Sequence, residues 1–230
     1  MRRPHLALIF VSIGTLAGLS LTHSVTATSP ISEEDELLKN ATLVFSRAVD
    51  TPAAAIPAAV LIRATGIAVI PAATGQGNRY HGRGVLSARG ARPDDWTPPA
   101  VIDFEGAIPF DLEAGPIDVV LVAQTRRGLD YLVQERSSRE IARPTTPGAL
   151  GHSSPAGINA DVLAYMHFAQ YFAGVTVTDW VVQEVKASNA ILYGRPYSTD
   201  DIVRGAGFFH LPYAARMWRD TIADYFREMS

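Results

Sequence analysis

The sequence contains no cysteine and only two lysines, Lys39 and Lys186. Without cysteine the chain can form no disulfide, no thiolate metal site and no thiol nucleophile, whatever its compartment. It also cannot carry a lipid on an N-terminal cysteine. Arginine supplies nearly all of the positive charge, and its planar guanidinium suits phosphate and carboxylate groups, although a biased genome composition would produce the same excess.

The charge balance is mildly acidic. The chain has 20 Lys and Arg against 23 Asp and Glu, a formal net charge of −3 at pH 7. A general nucleic-acid binder has the opposite balance, so we expect no nucleic-acid partner. Hydrophobic residues make up 47% and charged residues 19% of the chain, which is typical of an ordinary globular core in one domain.

The N-terminus has the three parts of a secretory signal peptide. Arg2 and Arg3 form a basic segment, residues 6–21 an apolar segment, and Val25-Thr26-Ala27 a cleavage site of small residues. A single uncleaved membrane anchor is the alternative. The apolar run is short for a membrane span and is interrupted by glycine and serine, so a cleaved signal peptide is the better interpretation.

We therefore expect residues 1–27 to be removed and the mature chain, residues 28–230, to form a single domain. The removed segment holds two arginines and no acid, so the formal charge changes from −3 to −5. Export implies a periplasmic or extracellular protein, either free or peripheral on a membrane.

Residues 56–89 contain an informative succession of elements. Pro57 suits the first turn of a helix and Gly66 its left-handed end, so the pattern predicts a short helix from Ile56 to Thr65. The apolar, branched run from Ile67 to Ile70 predicts a buried strand, which a glycine-containing turn follows.

Gly82 and Gly84 lie two residues apart in the next predicted strand. This spacing places both on one face of the strand and lets another group approach the backbone closely. That group is either a packed element of the same domain or a ligand. Glycines within strands more often mark bulges and tight packing, so packing is the preferred interpretation.

The other elements show no regular alternation of strand and helix. Ser32 and Asp35 resemble a capping box that opens an amphipathic helix reaching Val49. Residues 136–159, rich in Pro, Ser, Thr and Gly, predict a surface loop. The further predicted elements are strands at 101–104, 119–122 and twice within 160–177, and helices at 129–135, 181–193, 200–204 and 212–229. This order favours an α+β fold, with helices on a mainly antiparallel, strongly curved sheet.

Trp96 is expected to belong to the core. A polar turn precedes it and Thr97-Pro98-Pro99 follows it, which is typical of the start of a strand. An indole in such a place usually packs its rings inward while its N–H finds a partner.

No arrangement of residues matches a catalytic or metal-binding template. Gly151-His152-Ser153-Ser154 places serines beside a histidine but is not a nucleophile elbow. Gly75-Gln76-Gly77 follows a strand without dinucleotide or P-loop spacing. No zinc-ligand spacing links the histidines of the mature chain, which are His81, His152, His167 and His210. We therefore expect a protein that is not an enzyme and has neither a metal nor a cofactor.

The best candidate for a binding surface is a basic run formed by Arg79, His81, Arg83, Arg89 and Arg92. The first four are odd-numbered, so a regular strand would project them to one face. The run either recognises an anionic group such as lipid phosphate or is a solvated face paired with the acids around Asp94. A second basic group lies in the predicted loop, at Arg136, Arg139 and Arg143.

A series of short motifs extends over about residues 54–205. They are Ala64-Thr65-Gly66, Ile67-Ala68-Val69-Ile70-Pro71, Gly82-Arg83-Gly84-Val85, Trp96-Thr97-Pro98-Pro99-Ala100, Asp118 before Val119-Val120, Tyr165 with Phe172 and Gly174-Val175, and Asn189 with Tyr193-Gly194. In this order they resemble the SYLF domain, a family associated with lipid and membrane binding and, in some eukaryotic members, with actin.

The chain departs from the family pattern at several glycines. Residues 106–113 replace a glycine-rich turn, Gln170 and Asp179 stand where glycine is common, and the usual Gly-Pro-x-Gly loop survives only as Pro147-Gly148-Ala149-Leu150-Gly151. If those glycines serve a ligand in the family, the ligand of this chain differs.

The residues and the resemblance together predict an exported, non-catalytic binding module. Its expected partner is an anionic lipid or membrane surface, with a protein partner as a further candidate. The alternative is a structural or envelope protein-interaction domain without lipid binding. Actin is not expected, because an exported protein would not ordinarily meet it.

Overall fold

The computed structural model describes residues 32–50, 56–108, 115–134, 161–168, 171–175, 177–205 and 210–229. The predicted signal peptide and the predicted loop with its three arginines lie outside these residues, as do His152 and Gln170. No helix among the described residues is long and apolar enough to cross a membrane.

The strands form one antiparallel sheet. They are β1 Gly66–Gln76, β2 Arg79–Ala88, β3 Ala100–Ala107, β4 Ile117–Ala123, β5 Val162–Phe168, β6 Tyr171–Val175 and β7 Thr178–Glu184. Their order across the sheet is β6-β5-β4-β1-β2-β3-β7, with every neighbouring pair antiparallel. The sheet is not closed into a barrel, and the predicted α+β fold is confirmed.

The helices of the described residues are α1 Glu33–Asp50, α2 Ala58–Ile62, α3 Arg126–Val133, α4 Lys186–Tyr193, α5 Thr199–Val203 and α6 Tyr213–Glu228. The predicted start of α1 is confirmed, because the hydroxyl of Ser32 accepts a hydrogen bond from the N–H of Asp35 at 3.0 Å. Leu38 and Phe45 then point one face of α1 into the core, where both are fully buried.

The sheet separates two apolar cores. Alternation along β1 and β2 sends Val69 and Val85 to one face, and Ile70 and Leu86 to the other. The first core includes residues of α1, α2, α4 and α6, whereas the second includes Leu132 of α3. The odd-numbered residues of β2 therefore lie on the face of the sheet that α1 and α6 cover.

Two predicted elements differ from the structure. Residues 181–193 do not form one helix, because β7 includes Val181 and Val182 and pairs with β3 before α4 begins at Lys186. Adjacent branched valines suit an extended strand better than a helix. The helix predicted at 56–65 is only α2, and Gly66 is the first residue of β1 rather than a left-handed helix end.

The glycines of β2 accommodate a neighbouring strand. A Cβ on Gly84 would lie 2.5 Å from the carbonyl oxygen of Val69, and one on Gly82 would lie 3.0 Å from the Cα of Ala73. Both contacts are with β1, at the bulge where its register shifts. The packed-element interpretation of the two glycines is therefore the correct one.

Replacing Gly84 by alanine is expected to lower the free energy of unfolding by about 1–3 kcal/mol, because β1 must move to admit the methyl group. Gly115→Ala is the matched control, since no atom of the described residues lies within 4 Å of its added Cβ and its φ is outside the left-handed region. Both changes reduce the freedom of the unfolded chain equally. Urea unfolding that gave equal stabilities for the two variants would contradict the close approach.

Candidate functional site

The five basic residues of the predicted surface lie at two separate places. Arg79, His81 and Arg83 are exposed at the start of β2, whereas Arg89 follows its end and Arg92 lies in the next turn. Val85 and Ser87, on the same face between them, are fully buried. A strand rises about 3.3 Å per residue, so Arg83 and Arg89 are about 20 Å apart and form no continuous patch.

Carboxylates of β3 neutralise the arginines at the start of β2. The antiparallel register places Glu105 opposite His81 and Asp103 opposite Arg83. Arg79 donates to Glu105, with its Nε 3.0 Å from Oε1, and the Nε of Arg83 lies 3.3 Å from Oδ1 of Asp103. The hydrogen bond to Glu105 and its negative charge raise the pKa of Arg79. These pairs are about half exposed and individually weak, but they cancel the local positive charge.

The opposite end of the sheet brings together four arginines that come from different segments. We call this group the arginine end, and it consists of Arg63 after α2, Arg89 after β2, Arg92 in the following turn and Arg126 at the start of α3. The backbone around Thr65 connects the segments that carry Arg63, Arg89 and Arg126. Its hydroxyl donates to the carbonyls of Ala123 and Thr125, and its own carbonyl accepts from the N–H of Arg89 at 2.9 Å.

Arg89 is held firmly within this group. Its Nη1 donates to the carbonyl of Ile62 at 2.9 Å, and its guanidinium lies over the ring of Phe226, 5.6 Å from the ring centroid. Burial lowers the pKa of the Arg89 guanidinium. A guanidinium over an aromatic face keeps its charge and gains a cation–π contact, so Arg89 anchors the group.

The arginine end keeps more of its positive charge than the start of β2. Among the described residues, no carboxylate lies within 4.0 Å of Arg63, Arg89 or Arg126. Arg92 is 77% exposed and its Nε lies 3.9 Å from Asp94, at the limit of an ion pair. Ile62, beside these arginines, is 54% exposed. Cationic and apolar groups therefore share one surface.

A cavity of about 470 Å³ opens beside this group, between α3 and α5. Arg89, Arg126 and Arg204 line it, together with Asp130 and Asp200. Arg204 is already paired with Asp200 at 2.7 Å. The cavity is therefore of mixed charge, and the unpaired positive charge belongs to the arginine end itself.

Sequence patterns did not reveal Arg63 or Arg126 as candidates. Each lies at the edge of a short element, and strand periodicity in β2 carries no information about helix ends elsewhere. The signal that could have found them is local, since Arg63 directly precedes the Ala64-Thr65-Gly66 motif. Their closeness to Arg89 depends on the backbone hydrogen bonds of Thr65.

The described residues contain no group of three His, Asp or Glu side chains that could hold a metal ion. The Nε2 of His81 lies 3.4 Å from the hydroxyl of Thr74. His167 lies 3.8 Å from Asp118 and stacks on Phe172. These histidines belong to polar and aromatic contacts of the sheet.

Comparison with known proteins supports the family resemblance. A family model, Ysc84, described as "Las17-binding protein actin regulator", matches residues 112–225, about half of the chain. The matched part runs from just before β4 into α6. No curated protein and no solved structure matched the chain.

The match extends the resemblance into α6, beyond the motifs found in the sequence. The family comprises lipid- and actin-binding domains and regulators, so a binding module is the class of protein that it supports. By its motifs, its α+β fold and this match, the chain belongs to the Ysc84, or SYLF, family.

Proposed function

We propose that this protein is a binding module that attaches to anionic lipid surfaces through the arginine end. The observation that carries the proposal is the presence of Arg63, Arg89 and Arg126 without carboxylate partners among the described residues, beside the exposed Ile62. Guanidinium groups bind phosphate in a bidentate manner, and an exposed aliphatic side chain can enter the headgroup region. The family supports a lipid or protein partner.

The expected attachment is weak and sensitive to salt. Each arginine close to an anionic membrane contributes about 1 kcal/mol, and this attraction is screened within a Debye length of about 8–10 Å. The net negative charge of the chain opposes binding. Only a local group of arginines facing the membrane can overcome that repulsion.

Lipid binding by Arg79, His81 and Arg83 stays a prediction. Their expected contribution is smaller, because Glu105 and Asp103 lie among them and face the same membrane charge. Export also stays a prediction, and the exposed leaflet would then be an extracytoplasmic one. The chain that begins at Thr28 is therefore the form to test.

The experiment compares two double variants that remove the same charge from opposite ends of the sheet, Arg63→Ala/Arg126→Ala and Arg79→Ala/Arg83→Ala. Arg89 is left in place because it holds the carbonyl of Ile62. Co-sedimentation with phosphatidylcholine vesicles, with and without phosphatidylserine, measures binding at low and high salt. We expect the first variant to lose binding by about 30-fold, from about 2 kcal/mol, and the second by less than about threefold.

The outcomes separate the two surfaces. A larger loss for Arg79→Ala/Arg83→Ala would move the lipid site to the start of β2. Equal, small losses of vesicle binding in the two variants would mean that neither surface is the lipid site. Absence of binding to phosphatidylserine vesicles at low salt would overturn the lipid proposal and favour a structural or protein-interaction role.

A further inference from the structure

A cleft lies between the first turn of α1 and the adjacent ends of β2 and β3. We call it the acidic cleft, and its polar lining consists of Glu33, Glu34, His81, Arg83, Asp103 and Glu105. It encloses about 570 Å³, within the usual size range of ligand sites. The site arises because α1 crosses the sheet face on which the odd-numbered residues of β2 and β3 project.

The acids of the cleft outnumber its free cations. Arg83 is paired with Asp103, and Arg79, which does not line the cleft, is paired with Glu105. This leaves Glu33 and Glu34 without a cationic partner among the described residues. The positive end of the α1 dipole stabilises acids in the first turn of the helix. This explains why acids occur in this turn, but it does not explain why Glu34 is buried.

The burial of Glu34 is a second observation that points to a ligand, and it is independent of the excess of acids in the cleft. The residue is only 6% exposed, and its carboxylate has no hydrogen bond or ion pair within the described part of the chain. The oxygens of Glu34 are not among the fully buried, unpartnered polar atoms of the described residues, so the carboxylate keeps contact with water while the rest of the side chain is covered. Its position in the lining of the cleft means that a cation entering from solvent can reach it.

We propose that the acidic cleft binds a basic side chain of a protein partner, with a guanidinium or ammonium group at Glu34 and Glu33. A guanidinium can form two parallel hydrogen bonds with one carboxylate, which would satisfy Glu34. Leu37 in the same lining gives the aliphatic stem of an arginine or lysine an apolar wall. A bare metal ion suits the cleft less well, since no three ligands converge within the described residues.

The cleft is distinct from the surface proposed for lipid. The arginine end lies beyond the far end of β2, about 20 Å from Arg83. A protein partner that carries a basic side chain could therefore bind while the arginine end faces a membrane. The two sites attract ligands of opposite charge, so failure of one proposal leaves the other intact.

The test uses a short fluorescein-labelled oligo-arginine peptide and the chain that begins at Thr28. Fluorescence anisotropy measures its binding to the parent, to Glu34→Gln and to Glu36→Gln. Glu36 is the matched control, since it is an exposed acid of the same turn that does not line the cleft. Both changes remove one negative charge and keep the shape of the side chain.

We expect Glu34→Gln to weaken peptide binding by at least about tenfold, the loss of one charge-assisted hydrogen bond. Glu36→Gln should change it by less than about threefold. Arg79→Ala/Arg83→Ala should strengthen binding, because it frees Glu105 and Asp103 within the cleft. Equal losses of peptide affinity in Glu34→Gln and Glu36→Gln would show that the peptide is attracted only by the overall acidity of the chain, and would overturn the proposal. Absence of peptide binding to the parent would overturn it as well.

The stability of the variants separates a ligand-binding glutamate from one that has a structural partner within the protein. Glu34→Gln removes a charge that has no ion pair within the described residues and loses only its interaction with the helix dipole, about 0.3–1 kcal/mol, so its urea midpoint should fall no further than that of Glu36→Gln. A fall clearly larger than that of Glu36→Gln, which loses the same interaction with the dipole, would mean that Glu34 has an internal partner and would contradict the proposal. Glu33→Gln, at an exposed position of the same cleft, gives an independent test and should weaken peptide binding by about threefold or more.

Discussion

Replacing Trp218 by alanine is expected to lower the free energy of unfolding by about 3–5 kcal/mol. The residue is fully buried in α6 and packs edge-on against Phe45 of α1, with ring centroids 6.1 Å apart. Its Nε1 donates to the hydroxyl of Ser87 in β2 at 2.8 Å, and Ser87 is also fully buried. The change would open a large cavity between helix and sheet and leave a buried hydroxyl without its donor.

The packing and hydrogen-bond contributions of Trp218 can be separated. Trp218→Phe keeps an aromatic ring but removes the donor, so a smaller loss of about 1–3 kcal/mol is expected. The double variant Trp218→Phe/Ser87→Ala also removes the Ser87 hydroxyl that has lost its donor, so it should recover part of the lost free energy of unfolding. Denaturant unfolding of the three variants and the parent measures each step. If Trp218→Ala cost less than about 1 kcal/mol, α6 would not be docked as described.

Replacing Trp96 by alanine is expected to cost a similar amount, about 3–5 kcal/mol. Only 3% of the residue is exposed, and its ring lies 4.9 Å from that of Phe226 in α6. Its Nε1 donates to the carbonyl of Pro93 at 3.1 Å, within the polar turn that precedes it. The sequence-based prediction of an inward ring with a partnered N–H is therefore confirmed.

The test of Trp96 needs a control for the turn that it closes. Trp96→Phe keeps most of the apolar surface but leaves the carbonyl of Pro93 without its donor, and that carbonyl can turn to solvent because Pro93 is exposed. We therefore expect the phenylalanine variant to retain most of the stability. A loss within experimental error for Trp96→Ala would place the indole outside the core.

Local sequence determined many of the elements. The capping pattern at Ser32 and the apolar spacing after it suffice for α1, and short runs of branched residues suffice for β1 and β4. These signals depend on residues within a few positions of each other. Where strand and helix preferences compete locally, as at Val181 and Val182, pairing with β3 decided the outcome.

The motifs also determined the family without any knowledge of the fold. Their order was enough for the resemblance, and in one of them the glycines of β2 report a local backbone requirement, the close approach of β1. The glycines of β2 show the limit of that information. Their spacing indicated a close approach, but only the register of β1 identified the approaching group.

Tertiary structure alone decided which charges meet. Alternation along β2 placed Arg79, His81 and Arg83 correctly on one face, but it could not show that Glu105 and Asp103 stand opposite them. Nor could it bring Arg63 and Arg126 to Arg89, or place Glu34 in a cleft. Those contacts join residues far apart in the chain, and an ion pair depends on distances of a few ångströms that only strand register and helix docking fix.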